Sequence, residues 1–143
     1  MELLTILAAD YANIAQGGKL NVMGIFREIY AKSFPAQHPS MVLIVKLGAD
    51  LGEYGDTRNL TIKLLDPDGK EIVKFENAIE IPQPVNGQRP EVNAILALNG
   101  LVFPAPGRYQ FSVKLDKDYK GHLPLDVVLI NPEQALKLEK SGS

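Results

Sequence analysis

Apolar and polar residues alternate most strictly between Gly107 and Leu115. Every second residue in this stretch is apolar, and the residues between them are polar or charged. Such a period of two is typical of a strand that buries one of its faces. Residues 60–64 alternate in the same way, whereas residues 41–47 are almost continuously apolar. The latter run predicts a central strand that is covered on both faces.

Further strand patterns recur along the chain between turn signals. Together they make about eight short strands. Their number and their spacing along the chain predict an all-β, immunoglobulin-like antiparallel β-sandwich. The first of them also fits one face of a helix, but we assign it to a strand. The additional predicted strands are residues 3–11, 20–30, 70–77, 92–99 and 123–130.

The turns are specified by glycine, proline and aspartate. The sequence Asp66-Pro67-Asp68-Gly69 suits a type I turn, which predicts a hairpin between residues 58–66 and 70–77. Gly17-Gly18-Lys19 lacks the spacing and the hydroxyl residue of a phosphate-binding loop, so it predicts a hairpin turn. The proline-bearing residues 78–90 predict a crossing between the two sheets.

Length and composition predict one domain. The chain has 143 residues, of which 45% are apolar and 22% are charged, as is usual for a globular protein. We assign residues 1–131 to a single sandwich and residues 132–143 to a short helical or frayed C-terminal tail. The net charge of −2, with both signs interleaved, does not match the basic surface of a nucleic-acid-binding protein. Nucleic acid is therefore not an expected partner.

The chain contains no cysteine, which excludes disulfides and thiolate metal sites and suits a reducing compartment. Glu2 stands where a secretory signal would be basic, and no apolar run is long enough to cross a membrane. We expect a cytoplasmic protein without a membrane span.

Two Asp-x-Asp pairs are the best metal candidates in the sequence. Asp66 and Asp68 form one pair and Asp116 and Asp118 the other, and each pair follows a predicted strand. If both pairs lay at one end of the sandwich, their carboxylates would suit calcium. Aspartates at such positions are more simply turn formers, so we predict no metal and no cofactor.

The sequence contains no recognisable set of catalytic residues. His38, in a predicted loop, and His122 lack partners at metal-ligand spacing, and no serine lies in a nucleophile motif. Several carboxylates lie in or beside apolar segments. They are explained most simply as strand side chains that alternate outward to the solvent. We therefore predict that the protein is not an enzyme. The carboxylates concerned are Asp10, Glu28, Glu80 and Asp126.

Rigid loops that contain proline are the better functional candidates, because irregular loops on a sandwich often carry recognition. The alternative is that they only protect sheet edges and connect strands. The candidate interaction residues are Phe34, Pro35, Pro82, Pro84, Asn86 and Phe103.

Three segments in this order, GGKLNVMGIF, LTIKLLDPDG and LVFPAPGRYQFSVKLD, resemble an uncharacterised bacterial family of small proteins. The family's motifs are GGKL with a following glycine, an L-x-D-x-DG hairpin and a PGRY-x-F strand, and the resemblance covers roughly residues 2–130. The resemblance implies an immunoglobulin-like β-sandwich with no established activity and no known catalytic residues.

These observations favour a non-enzymatic interaction or assembly module that presents loops or an edge strand to a protein partner or to copies of itself. The alternative is a module that binds a small ligand or calcium. Sugar binding is disfavoured because the chain has no tryptophan to stack on a sugar ring.

Overall fold

Nine strands account for the fold in a computed structural model that describes residues 1–131, 133, 136 and 137. The strands are β1 (Glu2–Ile14), β2 (Leu20–Phe26), β3 (Glu28–Ala31), β4 (Ala36–Gly48), β5 (Thr57–Leu65), β6 (Glu71–Glu80), β7 (Glu91–Phe103), β8 (Gly107–Leu115) and β9 (Asp118–Leu129).

The strands form two sheets packed face to face. The first has four strands in the order β2-β1-β4-β7, and the second has five in the order β3-β9-β8-β5-β6. The pairs are antiparallel except for β3 and β9, which run parallel. The predicted all-β sandwich is confirmed, with nine strands in place of about eight and with one parallel pair.

The single strand predicted for residues 20–30 is wrong. Residues 20–26 pair with β1 in the four-stranded sheet, and residues 28–31 pair with β9 in the other sheet. The change of sheet occurs at Arg27, whose carbonyl accepts a hydrogen bond of 2.9 Å from the amide of Asp126. Alternation did not reveal this change of sheet. It shows which face of a strand is buried but not which sheet the strand joins.

One main core lies between the sheets. The predicted alternation of β8 is confirmed, because its four apolar side chains Tyr109, Phe111, Val113 and Leu115 are all buried there. The Tyr109 hydroxyl donates a hydrogen bond of 2.7 Å to the carbonyl of Ala105. The polar end of this buried ring is thus satisfied.

Strand β4 is covered on both faces, as its continuous apolar sequence predicts. Leu43 and Val45 lie in the main core, while Ile44 between them is fully buried on the opposite face. There it packs in a second apolar cluster with Ala9 of β1. The four-stranded sheet therefore has apolar contacts on both of its sides.

The predicted turns are formed. Gly17 and Gly18 both have positive φ and connect β1 to β2, and glycine is the residue that adopts such angles without strain. The crossing between the sheets predicted for residues 78–90 is made by residues 81–90, because β6 extends to Glu80. Glu133, Leu136 and Lys137 are helical, and the rest of the predicted C-terminal helix lies outside the described residues.

Candidate functional site

A cleft of about 590 Å³ opens between β6 and β7, the outermost strands of the two sheets on this side. Phe75 and Ile79 of β6 contribute apolar side chains to its lining. Val92, Ala94 and Leu96 of β7 line it from the other side, and all three also pack against the main core. The cleft is therefore an opening of the apolar core at the side of the sandwich.

Strand β7 has one side free of strand partners in the described part of the chain. It pairs with β4 from Glu91 to Phe103, and no further described strand follows it in the sheet order. In an antiparallel strand every second residue directs its N–H and C=O groups away from the paired neighbour. Strand β7 thus presents unpaired backbone donors and acceptors along the cleft.

The residues of β7 do little to prevent another strand from pairing there. Between Glu91 and Asn99 the strand contains one charged residue, Glu91, and neither lysine nor proline. Charged side chains and prolines are the usual features that keep edge strands apart. The composition of this long edge therefore places few obstacles in the way of another strand.

The opposite edge, β6, is charged. It carries Glu71, Lys74, Glu76 and Glu80, and the Lys74 ammonium lies 2.9 Å from the Glu76 carboxylate. Hydrogen bonding within this pair raises the pKa of Lys74 and lowers that of Glu76 from their ordinary values. Both groups remain ionised at neutral pH, so a strand that paired with β6 would have to displace water from several charges.

Asn93 of β7 carries a polar side-chain atom without a partner. Its Oδ1 atom is buried and has no hydrogen-bond partner among the described residues. Asn93 alternates with the core-facing Val92 and Ala94, so its side chain lies on the outer face of the sheet. An unsatisfied buried acceptor costs about 1–3 kcal/mol. A donor that reached this oxygen would remove the cost.

Three of the predicted interaction residues lie at one end of this cleft. Pro82, Pro84 and Asn86 are exposed on the loop that joins β6 to β7. Arg89 fixes this loop, because its Nε atom donates a hydrogen bond of 2.8 Å to the carbonyl of Ala49 and its Nη1 atom lies 2.7 Å from Glu2 Oε1. Arg89 thus ties the loop to Ala49 and to Glu2 of β1.

The other predicted interaction residues lie elsewhere. Phe34 is half-buried against the main core, and Pro35, joined to it by a cis peptide bond, is exposed. Phe103 is 0% exposed, and its ring centroid lies 5.0 Å from that of Tyr109. The interpretation of Phe103 as an exposed loop residue is wrong, because β7 extends to this position and pairs it with Ala36.

The two aspartate pairs do not converge. Strands β5 and β8 are antiparallel neighbours, so the turn after β5 and the turn after β8 lie at opposite ends of the sheet. Asp66 Oδ1 accepts hydrogen bonds from the amides of Asp68 and Lys70, as expected of a turn former. Asp116 Oδ1 accepts one from the amide of Asn59, which lowers the pKa of Asp116. Among the described residues no group of three or more potential metal-ligating side chains is assembled.

A second, smaller pocket of about 370 Å³ is lined by Asp10, Glu28, Tyr30 and His38, among others. The prediction that His38 lies in a loop is wrong, since it belongs to β4. Burial lowers the pKa of His38, and its Nε2 atom has no hydrogen-bond partner in the described part of the chain. The Tyr30 hydroxyl donates to Glu28. The pocket thus gathers polar groups from β1, β3 and β4.

Two of the remaining residues considered for chemistry, His122 and Asp126, are paired with neighbours. His122 Nδ1 lies 2.6 Å from the hydroxyl of Tyr119, and Asp126 forms an ion pair of 2.9 Å with Arg108. Glu80 is exposed at the end of β6. Both contacts lie on the five-stranded sheet.

The cleft was missed by the sequence predictions, although the sequence contains part of its signal. The run EVNAILAL has one charge in eight residues and predicts a strand. Which strands lie at the edges depends on how the sheets assemble, and that information is not local in the sequence.

Comparison with known proteins places the chain in a family. No curated protein matches the chain. No helix in the described ranges has the length and apolar character needed to cross a membrane. A family profile matches residues 4–128, which is most of the chain and confirms the resemblance to an uncharacterised family. The protein belongs to this family, which is described as a family of unknown function (DUF6941).

Proposed function

We propose that this protein is a non-enzymatic interaction module that binds an extended protein segment along the free edge of β7. The observation that carries the proposal is a nearly uncharged edge strand, thirteen residues long, beside an open apolar cleft. The charged edge of β6 on the other side of the cleft makes β7 the favoured partner strand.

Strand addition explains how a domain without a distinctive side-chain motif binds a partner. The incoming backbone forms ladder hydrogen bonds with β7, which supply affinity with little dependence on sequence. Alternate side chains of the added strand point towards the cleft, where Phe75 and Leu96 offer apolar contacts. Specificity then comes from the size of the side chains that the cleft accepts.

The proposal places this binding in the cytoplasm and assigns the domain no reaction of its own. A chain without cysteine suits a reducing compartment. The loop with Pro82, Pro84 and Asn86 would contact the end of the added strand, which connects the interaction loop predicted from the sequence with the edge strand.

A matched pair of substitutions tests the proposal. Ala97 on β7 and Ala78 on β6 are both exposed alanines on edge strands. Peptides of about ten residues, selected from a display library on the wild-type domain, are measured against Ala97→Lys and Ala78→Lys. We expect Ala97→Lys to weaken binding at least about tenfold, which corresponds to about 1.4 kcal/mol, and Ala78→Lys to leave it unchanged.

The same measurement can contradict the proposal. If the selection yields no binding peptide, or if both lysine variants weaken binding equally, β7 is not the binding strand. Circular dichroism and melting of each variant establish that the domain is folded before binding is compared.

A small apolar ligand in the cleft is the second candidate function. The cleft volume of about 590 Å³ falls within the usual range of small-molecule sites, roughly 300–1,000 Å³. This candidate predicts that fatty acids or apolar dyes raise the melting temperature of the wild type. Replacing Leu96 in the cleft wall with a bulkier phenylalanine would then remove the shift, whereas Ala97→Lys would not.

A further inference from the structure

We infer that the segment bound along β7 is β7 of a second copy of this chain, in an antiparallel pair centred on Ile95. The inference rests on the proposed function and names the partner for the same edge. Three features of β7 support it. The regular part of the strand begins and ends at defined residues, most of its apolar side chains share one face, and it carries one charged residue.

The regular part of β7 has a defined midpoint. Pro90, which precedes it, has no N–H group to donate to a partner strand. At the other end, Gly100 has a φ of 68°, which interrupts the extended backbone. The nine residues between them run from Glu91 to Asn99, and Ile95 is the fifth of these nine.

A pair centred on Ile95 brings like faces together. Val92 then lies opposite Leu98 of the second copy, and Ala94 lies opposite Leu96. All four of these side chains face the main core within their own sandwich. The pairing therefore continues the inner face of the sheet from one copy to the next and places small alanine beside larger leucine, which is favourable for packing.

The pairing brings no like charges together on the outer face. Glu91 lies opposite the amide side chain of Asn99 of the second copy, Asn93 lies opposite Ala97, and Ile95 lies opposite itself. The single carboxylate of each strand lies 3.3 Å from the Lys46 ammonium of its own copy and meets a neutral residue of the other. By contrast, β6 has four charged residues among ten, so a second β6 paired with it would bring charged side chains close together.

A second copy also closes the assembly. A two-fold axis through Ile95 gives an isologous contact in which each β7 edge covers the other. The two four-stranded sheets then form one sheet of eight strands, and no β7 edge is left to recruit a third chain. A dimer is the expected product, without further growth along this edge.

Cysteine cross-linking tests the pairing and its register, because none of the 143 residues is cysteine. Directly opposite residues in an antiparallel pair have Cα atoms about 4.5–5.5 Å apart, within the range of a disulfide. Under mild oxidation we expect Ile95→Cys to form a covalent dimer. Ala97→Cys should not, since two copies of residue 97 would be offset by four residues, roughly 13 Å along the strand.

Two further samples complete the test. An equimolar mixture of Asn93→Cys and Ala97→Cys chains should form the mixed dimer, and Ala78→Cys on β6 serves as the control for random collision. If Ile95→Cys cross-links no faster than Ala78→Cys, the inferred dimer is overturned. If Ala97→Cys alone cross-links as fast as Ile95→Cys, the register is overturned.

Native mass provides a measurement that does not depend on cysteine. Light scattering over a dilution series should show a dimer of the wild type that dissociates into monomers. Asn99→Glu places two acidic residues opposite each other and should raise the dissociation constant several-fold, whereas Asn99→Lys should lower it. A wild type that stays monomeric at all concentrations overturns the inference. Peptide binding that is sensitive to Ala97→Lys would in that case still support the proposed function.

Discussion

The two strands that border the cleft, β6 and β7, have similar inner faces and different edges. Both bury apolar side chains in the main core, for example Ile79 of β6 and Leu98 of β7. Their exposed edges differ, because β6 carries four charged residues in ten positions and β7 carries one in thirteen. Burial therefore explains the residues of each strand that face the core, but it does not explain the edges.

The difference teaches that the sandwich protects one edge and leaves the neighbouring edge available. Unprotected edges are a risk for any β protein, since they pair with other chains. The proposed function assigns a use to the edge that β7 leaves open. On that proposal, the charges of β6 direct pairing to β7.

The largest expected effect is on the free energy of unfolding. It tests whether the core-facing sides of β6 and β7 contribute equally to the core. Leu98→Ala and Ile79→Ala each remove a buried aliphatic side chain that is less than 10% exposed. Each should lower the free energy of unfolding by about 2–5 kcal/mol. Urea denaturation measures both values. A cost below about 1 kcal/mol for either variant would show that the two strands do not share the core equally.

The next effect concerns the unpaired oxygen of Asn93. Asn93→Val removes this buried acceptor and should raise the free energy of unfolding of the diluted monomer by about 1 kcal/mol. Asn77→Val on β6 is the matched control, because Asn77 is exposed and should change stability little. A destabilised Asn93→Val would indicate that the oxygen has a partner in solution.

Removing the charges from β6 should make it resemble β7. The double substitution Lys74→Ala and Glu76→Ala eliminates the ion pair on this edge. We expect new assemblies larger than a dimer, detected by light scattering at high concentration. The control is Lys114→Ala on β8, an interior strand whose edges are both paired. Unchanged assembly in the double variant would mean that charge does not protect β6.

The smallest effect is on the pH dependence of stability. The hydrogen bond from Lys74 lowers the pKa of Glu76 in the folded protein. A lowered folded pKa means that the carboxylate stabilises the fold above its ordinary pKa, and that this contribution disappears as the pH falls through the folded value. Glu76→Gln should therefore lose less stability than the wild type between pH 5 and pH 3. Melting curves across this range compare the two, and identical slopes would contradict the expectation.

Several elements were predictable from local chemistry. The alternation of residues 107–115 predicted β8 and its buried face, and Asp66-Pro67-Asp68-Gly69 predicted the hairpin between β5 and β6. The continuous apolar run at residues 41–47 predicted a strand covered on both sides. These features depend on backbone preferences and on a period of two, which neighbouring residues specify by themselves.

The errors have a common cause. Phe103 was assigned to a surface loop because it precedes Pro104 and Pro106, yet pairing with Ala36 carries β7 into the core at this point. The strand predicted for residues 20–30 changes sheets at Arg27. In both regions a long-range partner decided the outcome, and a local pattern contains no information about that partner.

The sequence by itself determined the class of the fold, the faces of its main strands, the chemistry of its turns and the family of the chain. Only the tertiary structure decided that β7 is an edge strand, that β6 lies across a cleft from it, and that the two aspartate pairs lie at opposite ends of a sheet. The physical reason is that alternation and turn preferences act between neighbouring residues, whereas strand order is set by packing between segments that are distant in the chain.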